Sequence, residues 1–237
     1  MLRLTVGERW EADLTAPIDL AIPLAFGGPQ PNAFGLPRAT GDVVVATDLG
    51  GPVNCVTVTL NPHGNGTHTE CAGHVFTGDI DVARAAPLAP VPCCLISVDA
   101  ARVVRASDVE PLLLGIPEIF RQAVVLRTGQ TEPLRDYTGS GPAFLEAACA
   151  RLLRRLGVQH LLIDLPSVDP EDDGGLVEAH RLFFEGVADG ARRTITEMIS
   201  VPDGTADGLY VLSLQVPAFA LDAAPSRPVL FPVVELG

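Results

Sequence analysis

Three of the five histidines in this 237-residue chain fall within residues 61–75, NPHGNGTHTECAGHV. They are His63, His68 and His74, and Glu70 stands between the last two. Because His68 and Glu70 are two residues apart, both side chains point to the same face of an extended segment. Zn²⁺ and similar divalent metals accept imidazole nitrogen together with carboxylate oxygen. The spacing favours a metal site, and a polar turn that happens to be rich in histidine is the alternative.

His74 lies four residues after Glu70 and has two possible roles. It could be a further metal ligand or a general acid/base, because the pKa of a free imidazole lies near neutrality. Gly64 and Gly66 permit backbone angles that other residues resist. We therefore expect a rigid loop that presents polar side chains at the end of a strand.

The segments around this loop predict a mixed sheet with helices packed on it. Runs rich in β-branched and apolar residues, bounded by glycine and proline, predict strands over residues 42–47, 55–60, 92–98, 123–128, 160–165 and 209–216. Apolar spacing predicts helices over residues 141–156 and 177–186. Pro142 is expected in the first turn of the first helix, and Gly157 as its C-cap. The strand, helix and strand over residues 123–165 indicate an α/β fold.

Two further segments are less regular. Residues 16–38 are rich in proline and glycine, which predicts short strand pieces joined by turns. Residues 191–199 are strand-like or mixed. Neither segment changes the predicted fold class.

The composition limits the classes of function. Hydrophobic residues make up 47% of the chain, which argues against disorder. The formal net charge is −13, there is no lysine, and no basic stripe exists to neutralise phosphates, so we expect no nucleic-acid partner. No apolar run reaches the roughly 18 residues that span a bilayer. The N-terminal residues lack the apolar region of a signal peptide, so we expect a cytoplasmic protein without membrane contact.

The five cysteines form no CxxC pair, which argues against a zinc ribbon or a redox pair. We expect most of them to be small buried residues. Cys71 lies inside the histidine cluster, so a thiolate ligand or a nucleophile paired with His74 stays open as an alternative.

The segment GTHTECAGH, residues 66–74, resembles the H-x-G-T-H-x-D-x-P-x-H signature of the cyclase-like metal-dependent hydrolases, which include bacterial kynurenine formamidases and isatin hydrolases. Other segments resemble this family in the same order: DLTAPIDLAIPL (13–24), VVLRTG (124–129), LLIDLPSVDP (161–170), EAHRLFFEG (178–186) and ITEMI (195–199). The resemblance implies a swivelling β/β/α fold, a single domain over residues 1–237, and a homodimer or homotetramer.

The resemblance also assigns roles to residues that match the family's motif. It implies that His68 and Glu70 bind metal and that His74 is catalytic. A later histidine and glutamate, here His180 and Glu197, would complete a two-metal site. Without the resemblance, His180 reads as a partly buried helical histidine and Glu197 as an ordinary exposed acid.

This chain departs from the signature at three positions. Gly64 stands where the family has its first motif histidine, and His63 precedes it by one residue. Either the loop is one residue longer and His63 still reaches the metal, which we expect, or that ligand is lost. The motif acid is Glu70 rather than aspartate, and Ala72, preceded by Cys71, replaces the motif proline. These changes indicate a divergent subgroup.

Five other residues have open or structural interpretations. We expect His160, between a helix and an apolar strand, to be structural. Asp164 and Asp169 are interpreted as loop anchors that hydrogen-bond the outer shell of the site. Trp10 and Phe34 either line a pocket for a planar substrate or pack in the core.

The resulting hypothesis is a metal-dependent hydrolase that cleaves the C–N bond of a formamide or cyclic amide with a metal-activated water. The resemblance implies an arylformamidase-like enzyme of tryptophan catabolism with one or two zinc ions, or manganese as the alternative. The proposed ligands are His63, His68, Glu70, His180 and Glu197, and the proposed catalytic residue is His74. The competing hypothesis is a metal-poor relative that binds a small molecule without turnover.

Overall fold

The computed structural model describes residues 2–99, 102–130, 132–186 and 192–236. The strands are β1 (Arg3–Val6), β2 (Trp10–Asp13), β3 (Ile18–Asp19), β4 (Thr40–Val45), β5 (Cys55–Thr59), β6 (His68–Cys71), β7 (Val91–Ser97), β8 (Val103–Val104), β9 (Ala123–Arg127), β10 (Phe144–Leu145), β11 (His160–Ile163), β12 (Thr194–Glu197), β13 (Gly208–Gln215), β14 (Ala223–Pro225) and β15 (Arg227–Glu235). The α-helices are α1 (Val82–Ala85), α2 (Ala106–Leu114), α3 (Ala147–Arg155) and α4 (Glu178–Phe184). Short 3₁₀ helices cover Thr47–Leu49, Ala72–His74 and Glu118–Arg121.

One mixed sheet of 11 strands organises the described residues. Its order is β1-β2-β15-β13-β7-β9-β11-β12-β6-β14, and β3 also pairs with β15. Strands β7, β9, β11 and β12 run parallel, and the flanking pairs are antiparallel. This mixed α/β architecture confirms the predicted fold class. The prediction of a single domain over residues 1–237 stays a prediction.

The central strands are buried on both faces, as expected for parallel strands with an apolar sequence. Along β9, Val124 and Leu126 join a cluster with apolar residues of α2, α3 and α4, whereas Val125 joins a second cluster on the opposite face. In β11, Leu161 belongs to the first cluster and Leu162 to the second. Successive side chains therefore alternate across the sheet.

The prediction of a helix over residues 141–156 was wrong at its N-terminal end. Phe144 and Leu145 form β10, which pairs with β8, and α3 starts only at Ala147. Glu146 is the N-cap, and its side chain accepts a hydrogen bond from the backbone N–H of Ala106 at 2.8 Å. These tertiary contacts override the helical spacing of the preceding residues. Gly157, at φ +84°, follows the C-cap and ends the helix as expected.

The site is positioned where β6 and β12 lie side by side. These strands pair antiparallel, and His68 is the register partner of Glu197. The hairpin of β4 and β5 forms a separate two-stranded sheet and leads directly into the loop that holds His63. Helix α4 contacts the short 3₁₀ helix Ala72–His74 that follows β6. The histidine loop is thus held between strand β6 and helix α4.

The expectation that most cysteines are buried is confirmed. Cys71, Cys93, Cys94 and Cys149 are buried and Cys55 is exposed. Within the ranges that the structure describes, no helix has the length and apolar character needed to cross a membrane.

His160 lies at the start of β11 and is buried, as expected for a structural residue. Its Nδ1 atom is 2.9 Å from Thr194 Oγ1. Burial lowers the pKa of His160 from 6.5 to about 4. The folded state therefore favours the neutral imidazole, and this contribution to stability is present above about pH 6.5 and is lost as the pH falls toward 4.

We predict that His160→Asn weakens the pH dependence of stability between pH 6.5 and 4. Asparagine removes the titrating group but keeps a polar atom near the position of Nδ1. Relative to the variant, the wild type should lose up to about 3 kcal/mol of unfolding free energy over this interval. Urea denaturation at several pH values measures the difference, and parallel curves for the two proteins would refute the assignment.

Candidate metal centre

Strand β6 presents two of the predicted site residues on one face. His68 and Glu70 are both fully buried. Thr69 lies on the other face, where its hydroxyl is 2.8 Å from the Thr196 hydroxyl. The two-residue spacing in an extended segment therefore has the predicted effect.

Strand β12 and helix α4 bring two distant residues to the same point. His68 Nε2 lies 3.4 Å from Glu197 Oε2. His180 Nε2 lies 2.9 Å from Glu70 Oε1 and 3.6 Å from Glu197 Oε1. All four residues are at most 3% exposed, so the cluster is screened from solvent.

The remaining two predicted residues, His63 and His74, lie near the second carboxylate oxygen of Glu70. His63 Nδ1 is 3.2 Å from Glu70 Oε2, and His74 Nε2 is 3.8 Å from the same atom. The two imidazole rings stack with their centroids 4.3 Å apart and their planes 28° from parallel. The structure thus brings together all six residues of the predicted ligand and catalytic set.

The presence of the first site histidine at position 63, rather than at the motif position 64, has a steric explanation. A Cβ atom at Gly64 would lie 2.7 Å from Leu36 Cδ1, 3.0 Å from Leu36 Cβ and 3.3 Å from the carbonyl oxygen of Ala33. A side chain at position 64 therefore has no room unless Leu36 moves. His63 reaches Glu70 instead, from a turn in which its backbone N–H donates to Asn61 Oδ1.

Each of the four site histidines has one ring nitrogen turned outward and held by an acceptor. The other ring nitrogen faces Glu70 or Glu197. The outward pairs are His68 Nδ1 with the Gly66 carbonyl oxygen at 3.0 Å, His180 Nδ1 with Asp169 Oδ2 at 2.6 Å, His63 Nε2 with Asp222 Oδ2 at 2.9 Å and His74 Nδ1 with Asp222 Oδ2 at 3.2 Å. Histidines that ligate metals are held in this way, because the outer acceptor fixes the tautomer and the ring orientation.

Four buried polar atoms of the cluster have no hydrogen-bond partner among the described residues. They are His68 Nε2, His180 Nε2 and both carboxylate oxygens of Glu70. His180 Nε2 and Glu70 Oε1 are close, but they do not meet as donor and acceptor. When Nδ1 of neutral His180 donates to Asp169, its Nε2 presents a lone pair to a carboxylate oxygen. Such an arrangement is unfavourable unless a cation or an added proton lies between the two atoms.

The donor atoms fit a divalent metal. Two sets of three residues each have their donor atoms within 4.8 Å of one another: His63, Glu70 and His74, and His68, Glu70 and Glu197. Glu70 belongs to both sets. Imidazole nitrogen and carboxylate oxygen are the donors that zinc accepts.

The pKa shifts follow from the facing carboxylates and imidazoles. Burial lowers the pKa of His180, but the nearby carboxylates of Glu70 and Asp169 outweigh it and raise this pKa well above its usual value. Burial also lowers the pKa of His63, yet the hydrogen bond to Asp222 and the nearby carboxylate of Glu70 raise it to about 10. Burial raises the pKa of Glu70, whereas His180 brings it well below its usual value. The cluster therefore stabilises positive charge, and a metal ion that binds there displaces protons.

Cys71 does not take part in the cluster. It points to the opposite face of β6 from Glu70 and packs with Val82, Ala85 and Ala224. Burial raises the pKa of the Cys71 thiol to about 11, which disfavours a thiolate ligand or nucleophile at neutral pH.

Two aspartates hold neighbouring segments in place, in line with the sequence interpretation. Asp169 accepts hydrogen bonds from the backbone N–H groups of Ala179 and His180 at the start of α4. Asp164 accepts from the backbone N–H groups of Thr128 and Gly129. Asp169 therefore orients a site histidine directly, whereas Asp164 fixes the turn after β9.

Sequence reasoning missed Asp222. It lies in the segment PAFALD, residues 217–222, where a lone acid among apolar residues gives no signal of function. It is 159 residues from His63 and 148 from His74, so no spacing rule connects them.

A cavity of about 230 Å³ opens beside the cluster. It is lined by Phe34, His63, Glu70, His74, Ser167, Asp169, Pro170, Glu171, Asp173, Val177, His180 and Glu197. Phe34 and Val177 adopt φ angles of +59° and +41°, a strained region for residues other than glycine. Trp10, by contrast, packs edge-on against Phe120 with ring centroids 5.1 Å apart. Of the two aromatic residues considered from sequence, Phe34 lines the cavity and Trp10, partly buried, packs against a core cluster.

We predict that Gly64→Ala lowers the unfolding free energy by about 1–2 kcal/mol, because the added methyl group displaces Leu36. Urea denaturation measures the change. Gly115→Ala is the matched control, since its nearest contact beyond the neighbouring residues would be an ordinary 3.4 Å to the Leu112 carbonyl oxygen. Equal stability of the two variants would show that crowding at position 64 does not explain the shifted histidine.

Comparison with known proteins gives the family. The model of the family described as putative cyclase matches residues 12–170. Similar solved structures include a predicted metal-dependent hydrolase from Bacillus stearothermophilus (TM-score 0.65, 20% identity, 91% of this chain and 98% of that chain). They also include an isatin hydrolase bound to the product analogue thioisatinate (TM-score 0.70, 16% identity, 93% of this chain and 92% of that chain). Isatin hydrolase A from Labrenzia aggregata bound to benzyl benzoate is another (TM-score 0.67, 18% identity, 91% of this chain and 93% of that chain). These likenesses show a shared fold, and the match over residues 12–170 shows that the chain belongs to the cyclase family.

Proposed function

We propose that this protein is a metal-dependent hydrolase that cleaves the C–N bond of a cyclic amide or a formamide. One observation carries the proposal: all four site histidines are held by outer acceptors and turn their other nitrogen toward Glu70 or Glu197. A protein that binds a small molecule without turnover has no evident need for this arrangement. The family membership and the isatin hydrolases among the similar structures support the same reaction class.

The residues that would hold the metal are His68, Glu70, His180 and Glu197, with His63 as a further ligand. A divalent ion held there would lower the pKa of a water molecule and polarise the carbonyl group of a substrate. We propose zinc, with manganese as the alternative, because the donors are imidazole and carboxylate. Glu197 is oriented for this role by the backbone N–H of Val168, which donates to its Oε1 at 2.9 Å.

His74 is the proposed proton carrier. Its side chain is 30% exposed and lines the cavity, whereas His68 and His180 are buried. Asp222 holds its Nδ1, so its Nε2 is the nitrogen on the side of Glu70. From this position His74 would pass a proton to the leaving nitrogen of the amide.

The cavity favours a small, planar, uncharged substrate. Phe34, Pro170 and Val177 give it apolar walls, and Glu171 and Asp173 add negative charge. Acidic groups of this kind, on a chain with a net charge of −13, disfavour an anionic substrate and favour release of an anionic product. A cyclic amide that hydrolyses to a carboxylate fits these properties, and N-formyl arylamines are the second class. A place in tryptophan catabolism, a cytoplasmic location and a homodimer or homotetramer remain part of the proposal.

Metal content tests the metal part of the proposal. We predict one or two zinc or manganese ions per chain in protein purified without added metal or a His-tag. His68→Ala and Glu197→Ala should both lose them, because each removes a ligand from the shared cluster. His160→Asn is the control, since it changes a histidine of the same sheet outside the cluster. Absence of metal from the wild type, even after reconstitution with zinc and manganese, would favour binding without turnover.

Hydrolysis of isatin and of N-formylkynurenine by the metal-loaded protein tests the reaction class. We predict that His74→Ala lowers kcat by about 10²- to 10⁴-fold through loss of proton transfer, with metal content retained. His160→Asn, assayed above pH 7, should keep the wild-type kcat. An unchanged kcat in His74→Ala would exclude His74 as the proton carrier.

A further inference from the structure

A single carboxylate oxygen holds two of the site histidines. Asp222 Oδ2 lies 2.9 Å from His63 Nε2 and 3.2 Å from His74 Nδ1. The two rings are stacked, which explains how one oxygen reaches both. Asp222 lies beyond residues 12–170, the part of the chain that the family model matches.

The backbone around Asp222 is tied to the strand that carries Glu70. The carbonyl oxygen of Asp222 accepts a hydrogen bond from the backbone N–H of Cys71 at 2.9 Å. The next residue, Ala223, is the register partner of Glu70 where β14 pairs with β6. The Asp222 carboxylate therefore has a fixed position relative to Glu70, and a change of its side chain leaves these backbone bonds in place.

His63 has a particular need for such an anchor. It approaches Glu70 through Nδ1, whereas the other three histidines of the cluster turn Nε2 inward. Its ring comes from a loop position one residue before the crowded Gly64, and its side chain is 22% exposed. Packing alone does not fix a partly exposed ring, so the bond to Asp222 is the contact that sets its direction.

His74 depends on the same oxygen. Its side chain is also partly exposed, and the bond from Nδ1 to Asp222 determines which ring nitrogen is free on the side of Glu70. Asp222 itself does not line the cavity beside the cluster. It is thus placed to act through the two histidines rather than on a substrate.

We propose that Asp222 is a positioning residue that orients His63 as a metal ligand and His74 as the proton carrier through one shared oxygen. The proposal rests on the proposed function, because it assigns Asp222 a part in that metal site. Asp222 would thereby compensate for the position of the first site histidine at 63 rather than 64, because its carboxylate holds the His63 ring toward Glu70.

Zinc affinity tests the action of Asp222 on His63. Apo protein is titrated with zinc against a chromophoric chelator, which requires no substrate. Asp222→Ala should weaken zinc binding by about 10- to 100-fold, and Asp222→Asn, which keeps an acceptor oxygen, should give a smaller loss. In a His63→Ala background, Asp222→Ala should have little further effect on affinity, because its partner ligand is already absent. Asp48→Ala, which removes an exposed acid in the β4–β5 turn, controls for the loss of one negative charge.

The ring nitrogens of His74 give an independent readout. The chain has only five histidines, so their ¹⁵N–¹H ring correlations can be assigned by single substitutions. In the zinc-loaded wild type, His74 should carry its proton on Nδ1, and Asp222→Ala and Asp222→Asn should both change this tautomer population. Unfolding midpoints show whether each variant is folded, and Asp222→Asn serves if Asp222→Ala is not.

The outcomes separate this proposal from the proposed function. If the wild type binds zinc and the folded Asp222 variants match it in affinity and in the His74 tautomer, the role of Asp222 is overturned and the metal site stands. Additive losses for Asp222→Ala and His63→Ala would also overturn it, because the two residues would then act separately. A wild type that binds neither zinc nor manganese would overturn the proposed function, and this proposal with it.

Discussion

The buried carboxylate of Glu70 is the constraint on which this site depends. Glu70 is fully buried, and neither of its oxygens receives a hydrogen bond from the described residues. Burial of an ionised carboxylate costs several kcal/mol unless charge or hydrogen bonds compensate it. The three imidazole nitrogens within 3.8 Å of Glu70 lie on His63, His74 and His180. A cation held among these atoms offsets the cost, which links the folded arrangement to metal binding.

The rest of the fold fixes the geometry of that centre. The apolar strands β7, β9 and β11 form a rigid interior, and the site lies at the β12 and β6 pair beside them. Among the residues that the structure describes, the non-glycine residues with positive φ are Phe34, Val177 and Met198. Phe34 and Val177 line the cavity, and Met198 follows Glu197 and accepts a hydrogen bond from the Thr67 hydroxyl at 2.6 Å. Such strain costs about 1–3 kcal/mol per residue, and here it is confined to the surroundings of the site.

The sequence predicted the parts of the site that local geometry controls. The two-residue spacing of His68 and Glu70 was enough to place both on one face of a strand, because strand periodicity is independent of the rest of the fold. His180 and Glu197 required the family resemblance, because only the packing of α4 and the pairing of β12 with β6 bring them close to Glu70. Asp222 gave no signal, because its function depends on the pairing of β14 with β6 rather than on neighbouring residues.

The α/β fold class could be predicted from the order of predicted strands and helices along the chain. Tertiary contacts, however, moved the start of α3 away from the predicted position. The segment before α3 has helical spacing, yet β10 pairs with β8, and the carbonyl oxygen of Val168 accepts a hydrogen bond from the backbone N–H of Leu145. The crowding at Gly64 was likewise hidden, because it depends on Leu36. In both cases the deciding contact came from a residue distant in sequence.

Anomalous diffraction at the zinc edge from crystals of the zinc-loaded protein would show whether Glu70 and its histidines bind the metal. We expect one or two anomalous peaks within coordination distance of His68 Nε2, His180 Nε2 and the Glu70 carboxylate. These are the atoms that lack hydrogen-bond partners among the described residues. Zinc bound only elsewhere, or a well-ordered cluster without an anomalous peak at saturating zinc, would contradict metal binding at the Glu70 cluster.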